Sequence, residues 1–202
     1  MGSCCPSDGE LEQTAKKHRK ILWMVLIINA LMFFVELTFG VIGDSLALVG
    51  DSLDMLGDAV TYGSSLAVVG MGPKEKASVA KLKASIMLFF GLAIAARSFY
   101  KAIDPVIPDF SFMVSVGSIA LIANLFCLFL LTRHRDDDIN MKSVWVCSRN
   151  DIVANVSVLV AAAVVFLTKS PWPDLAVGFG LTVLFLSSAI KIFKDANLAV
   201  GA

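Results

Sequence analysis

Apolar residues in this chain come in six long runs, each bounded by a short polar or Gly/Pro-marked connector, and not at the three-and-four spacing of a soluble amphipathic helix. The runs cover residues 21–43, 45–71, 84–103, 111–132, 143–168 and 175–193. A hydrocarbon core about 30 Å thick is crossed by roughly 20 residues of helix, so each run is long enough to span it. The connectors are Gly43-Asp44, the stretch from Gly70 to Lys83, the proline-bearing Asp104 to Asp109, the charged Arg133 to Asn140, and Lys169 to Asp174 with two further prolines. The pattern predicts an all-α membrane protein of six transmembrane helices. The chain divides into an N-terminal tail at 1–20, a six-helix transmembrane domain at 21–195 and a short C-terminal tail at 196–202.

Composition supports the class: 57% of the 202 residues are hydrophobic. Seventeen Lys and Arg balance 17 Asp and Glu, so no basic excess argues for nucleic acid, and the position of each charge matters more than the sum. With the N-terminus in the cytoplasm, Lys16, Lys17, Arg19, Lys20, the lysines at 74, 76, 81 and 83, Arg133, Arg135, Lys142, Lys191 and Lys194 all fall inside. Only Lys101 and Lys169 fall clearly outside. That asymmetry follows the positive-inside rule and predicts both termini in the cytoplasm, with Trp23, Trp145 and Trp172 near helix ends as interfacial aromatics. The polar first 20 residues do not read as a secretory signal, and Cys4, Cys5, Cys127 and Cys147 suggest no disulfide framework.

The chemistry lies in the acids inside these runs. Asp51, Asp54 and Asp58 are spaced i, i+3, i+7 in the second run and share one narrow helix face. Ser143, Cys147, Asp151 and Asn155 repeat every four residues in the fifth, and Asn29 and Glu36 share a face in the first. A charge at the membrane centre costs about 2.5–3.5 kcal/mol on insertion scales, so such acids face inward toward a partner. Of the bases, only Arg97, Arg149 and Lys191 are candidates to neutralise the acids within the spans, and each lies near enough to a helix end to snorkel. Acids without matching bases imply a bound divalent cation, or protons in its place; the two states together make an antiporter. Asp54, Asp58 and Asp151 are the prime candidates. Asp51 is expected nearer the outer mouth, and Asn29, Ser143 and Asn155 are expected mainly as interhelical hydrogen-bonding groups. The Arg133–Asn140 run reads as solvated loop, and Cys127 as a small buried hydrophobe.

The segment Ser45-Leu-Ala-Leu-Val-Gly-Asp51-Ser-Leu-Asp54-Met-Leu-Gly-Asp58 resembles the second helix of the cation diffusion facilitator family of metal/proton antiporters, where His or Asp is followed four residues later by Asp. Phe34-Val35-Glu36 within Asn29 to Gly40 resembles that family's first helix, and Asn140, Cys147 and Asp151 fit the register of its fifth. The resemblance implies Asp54, Asp58, Cys147 and Asp151 as metal ligands, with Cys147 standing where the family usually has His or Asp and Asn150 or Asn155 as substitutes. It also implies a homodimer with alternating access around a midmembrane site, here as a short form without the family's cytoplasmic C-terminal domain. The expected function is export of a divalent transition metal from the cytoplasm in exchange for protons: Zn²⁺ foremost, with Cd²⁺ or Co²⁺ as alternatives. The partners are that metal, protons and the lipid bilayer. No resident cofactor, catalysis or nucleic acid is expected, and the location is multi-pass in a plasma or bacterial inner membrane. The rivals are an intramembrane aspartyl hydrolase, in which two aspartates share a proton, and a metal sensor that does not transport.

Overall fold

The computed structural model describes the backbone of residues 8–67, 73–134 and 139–201, and side chains at 19–64, 66–67, 78–134, 145 and 148–194. Six helices account for nearly all of it: α1 (Asp8–Ile42), α2 (Leu46–Ala67), α3 (Pro73–Ile103), α4 (Phe110–Thr132), α5 (Ile139–Thr168) and α6 (Trp172–Gly201). Five of them contain stretches long and apolar enough to cross a membrane, namely Arg19–Ile42, Ser78–Ile103, Phe110–Thr132, Ser148–Thr168 and Trp172–Lys194. The C-terminal ends of α1, α3, α4 and α5 fall within one residue of the hydropathy boundaries. Their N-terminal ends, and both ends of α6, run past those boundaries, because a helix continues into polar sequence that hydropathy cannot distinguish from a connector.

The sixth helix, α2, carries three aspartates and stands apart from the apolar set, and the packing explains how it is accommodated. α2 touches all five other helices, whereas α1 pairs mainly with α2, α3 with α6, and α4 with α5. Large exposed hydrophobics such as Leu31, Phe34, Phe89, Leu92, Ile122, Phe126, Val153, Leu167 and Leu184 lie on α1, α3, α4, α5 and α6, and among the described residues none lies on α2. The bundle thus shows lipid an apolar exterior and encloses its acidic helix, which satisfies the demand that intramembrane charge face protein.

Three tight connections gather at one end of the bundle: the α1–α2 turn, the 104–109 segment and the 169–171 segment. At the first, α1 closes through Gly43 N–H to the Phe39 carbonyl (2.8 Å) and Ser45 N–H to the Gly40 carbonyl (2.9 Å), with Asp44 at φ 53°, a left-handed conformation that Asp tolerates better than most residues. Arg97 and Lys101 of α3 fix this turn: they reach Asp44 Oδ1 at 3.4 and 3.2 Å, and Lys101 also donates to the Asp44 carbonyl.

The first turn of α2 is capped from a different helix. Asp174 of α6, buried, accepts from Ser45 Oγ (2.6 Å), Leu46 N (2.7 Å) and Ala47 N (3.0 Å), while Ser45 Oγ accepts from Leu48 N (3.1 Å). A carboxylate on orphan N–H groups at a helix N-terminus is stabilised by both hydrogen bonds and the helix dipole. Asp174→Ala is therefore expected to lower stability by about 1–3 kcal/mol, the cost of leaving such groups unsatisfied. Hydrogen exchange at Leu46 and Ala47 should speed up while exchange in α4 stays constant; unchanged protection at those two amides would contradict the cap.

Candidate metal site

The polar residues of the bundle interior line up along α2. Seven residues of helix separate Asp51 from Asp58, a rise of about 10 Å, so one face carries acids from near the tight-turn end toward the opposite end. Neighbouring helices supply different partners at each level.

At the upper level, Asp51 is fully buried and held by α5: Asn155 Nδ2 donates to both its carboxylate oxygens at 3.1 and 3.0 Å. The Asn155 carbonyl oxygen in turn accepts from Asn124 Nδ2 of α4 at 3.2 Å, so three helices share one hydrogen-bond chain. Glu36 of α1 is also fully buried, and the charges that bear on it are those of Asp51 and Asp54.

At the lower level, Asp58 is hydrogen-bonded by Tyr62, one turn further along α2, and lies in the field of Lys83 from α3. Lys83 is 5% exposed. This corrects the expectation that Arg97, Arg149 and Lys191 are the only bases placed to neutralise the acids. Those three are not the partners of the acids: Arg97 pairs with Asp44, Arg149 is exposed and stacks over the Trp145 ring at 5.5 Å, and Lys191 is exposed. Lys83 sits where the charged connector was expected, but α3 starts ten residues earlier and carries its side chain into the protein.

Asp151 of α5 is half-buried, and the Cys127 thiol of α4 feels the charges of both Asp58 and Asp151, which places α2, α4 and α5 around one region. Three of the four expected ligands, Asp54, Asp58 and Asp151, thus occupy the bundle interior or its edge on α2 and α5. The side chains of Cys147 and Ser143, and all of Cys4 and Cys5, lie outside the described residues. Asn150 is exposed, so it does not reach the interior as a substitute ligand. Among the described residues no three His, Cys, Asp or Glu side chains converge closely enough to hold one ion.

The expected hydrogen-bonding residues separate. Asn29 donates to the Val25 carbonyl of its own helix at 2.9 Å and takes no part in the acidic column. Asn155 is instead the residue that orients Asp51. Cys127 is buried within an apolar cluster with Leu22, Val25, Tyr62 and Leu131, as expected, but close enough to the acids to sense them.

A family comparison matches residues 22–199 to the cation efflux transmembrane domain. The match takes in α2 and α5 whole and nearly all of the apolar part of the chain. A comparison with curated proteins finds no match.

Proposed function

We propose, on the premise that this chain belongs to the cation efflux (cation diffusion facilitator) family of membrane metal-cation transporters, that it exports a divalent transition metal in exchange for protons. Zn²⁺ is the foremost substrate, with Cd²⁺ and Co²⁺ as close alternatives, because carboxylates joined by a thiolate make a borderline-soft donor set. The observation that carries the reading is the full burial of Asp51 and the partial burial of Asp54 and Asp58 on a helix that packs against all the others. The cost of enclosing those carboxylates is repaid when a cation enters among them.

Asp54 and Asp58 from α2 and Asp151 with Cys147 from α5 are the proposed ligands. α2 leaves the tight-turn end and α5 runs toward it, so the two helices present their acids from opposite directions, as repeats of inverted topology do around a midmembrane site. Six membrane crossings, cytoplasmic termini and a homodimer complete the proposal; the excess of lysine and arginine at the end opposite the tight turns supports that orientation. Protons and metal compete for the same oxygens: protons arriving from outside displace the ion outward, and loss of those protons to the cytoplasm readies the site for the next ion. The hydrolase alternative has no support, since cation efflux proteins are transporters and not enzymes.

The test is Zn²⁺ flux in proteoliposomes with and without an opposing pH gradient, run beside the Asp54→Ala/Asp58→Ala double variant. Gradient-driven flux in the wild type and none in the variant is the expected result. A folded wild type that moves none of Zn²⁺, Cd²⁺, Co²⁺ and Mn²⁺ would overturn the reading.

A further inference from the structure

Among the described residues, the only buried side-chain oxygens with no hydrogen-bond partner are the two carboxylate oxygens of Glu36. Glu36 is entirely enclosed, and the charges bearing on it are like charges, first that of Asp51 and then that of Asp54. Asp51 is equally enclosed, and its hydrogen-bond partner among the described residues is an amide: Asn155 orients the carboxylate through two N–H contacts at 3.1 and 3.0 Å without neutralising it. Asn124 holds that amide in turn, at 3.2 Å, so its orientation is locked. Two fully buried carboxylates, one bearing on the other through its charge, one oriented and the other unsatisfied, form a site lacking a positive charge.

We infer that Glu36 and Asp51 form a second cation site, separate from the Asp54/Asp58/Asp151 constellation and displaced toward the tight-turn end, which takes a hard divalent ion of the Mg²⁺/Mn²⁺ class. The donors are all oxygen, with neither thiolate nor imidazole among them, which favours hard over soft ions. Two carboxylates are also the number such ions commonly accept from protein, with water completing the shell. One dication balances the two negative charges. Asn155 and Asn124 are positioning residues that fix the Asp51 carboxylate. The site deepens the transport reading and depends on it only for the identity of the other, Asp58-dependent ion.

Mn²⁺ binding to the purified protein in lipid nanodiscs, followed by loss of the free-ion EPR signal, tests the inference. The wild type is expected to take up two ions per chain, Glu36→Gln one, Asp58→Asn one, and the Glu36→Gln/Asp58→Asn pair none. Glu36→Gln is nearly isosteric and removes an enclosed, unpaired charge, so it is expected to melt no lower than the wild type. The wild type alone gives an independent readout: two Mn²⁺ ions no more than about 10 Å apart along α2, the rise of seven helical residues, broaden each other's lines by dipolar coupling. Mg²⁺ should displace the Glu36-dependent ion more readily than the other. Equal uptake by the wild type and Glu36→Gln overturns the inference and leaves Glu36 a protonated carboxyl. Displacement of that ion by Zn²⁺ but never by Mg²⁺ overturns its assignment as a hard site. A failure of the transport reading would appear separately, as absent flux or an Asp58→Asn variant with unaltered uptake, while the Glu36 result stands or falls by itself.

Discussion

Asp58→Asn is expected to reduce proton-driven metal flux to the level of empty liposomes while the helical bundle stays assembled. The asparagine keeps the shape of the side chain and an oxygen for Tyr62 to hydrogen-bond, but it removes the anionic donor and the group that exchanges metal for proton. Partners one step removed from a metal are already worth roughly 10–100-fold in affinity, so loss of a charged ligand should exceed that. The substitution also leaves the nearby buried Lys83 facing an amide. Breaking a buried pair from one side costs about 3–5 kcal/mol where the remaining charge cannot escape, and less here, because Lys83 lies only five residues inside the apolar stretch Ser78–Ile103 and can turn toward its end. Adding Lys83→Met to Asp58→Asn should therefore recover thermal stability and recover no flux. Wild-type flux in Asp58→Asn would remove Asp58 from the ligand set. Flux regained in the double variant would show that Asp58 serves only to neutralise Lys83.

The acidic face of α2 was readable from one dimension because its spacing lies within a single helix: three aspartates in an apolar run can only be cofacial and inward. Asp151 and Asn155 were readable as a polar stripe for the same reason. The meeting of Asp51 with Asn155, and of Asn155 with Asn124, was not, since it joins residues 104 and 31 positions apart and no periodicity within one segment encodes it. Glu36 was visible as a buried acid, but its neighbourhood depends on the α1–α2 turn bringing its level against Asp51. Lys83 and Asp174 were concealed differently. Both sit in polar stretches that read as connectors, whereas the helices begin earlier than the apolar runs and draw these side chains inside, one toward Asp58 and the other onto the first turn of α2. Hydropathy locates the part of a helix that lies in lipid, and the residues that decide its ends fall just beyond it.

The same α2–α6 seam that carries the Asp174 cap yields the largest expected effect on stability. At Gly178 an added Cβ would fall on the carbonyl carbon and oxygen of Leu46 and 2.6 Å from its Cγ; across the seam, a Cβ on Gly50 would lie 2.9 Å from the Gly178 carbonyl oxygen. Two glycines let the backbones approach more closely than any side chain allows, which is how membrane helices gain contact without a hydrophobic driving force. Gly178→Ala is expected to push α6 away from α2, costing about 3 kcal/mol, toward the top of the range for overpacking, since backbone and not a flexible side chain must give way. Asp174 lies one turn earlier on α6, so the same displacement should loosen its contacts with Ser45, Leu46 and Ala47 and expose those amides to exchange. Gly180 is the internal control: two residues on, a Cβ there meets nothing within 4 Å, and Gly180→Ala should be neutral or raise stability by about 0.5–1 kcal/mol through helix propensity. Paired thermal melts in detergent decide the matter. If both variants melt with the wild type, the close crossing does not hold α2 in place; if only Gly178→Ala falls, and Zn²⁺ flux falls with it, the helix bearing the acids is fixed by α6 from its first turn to its middle.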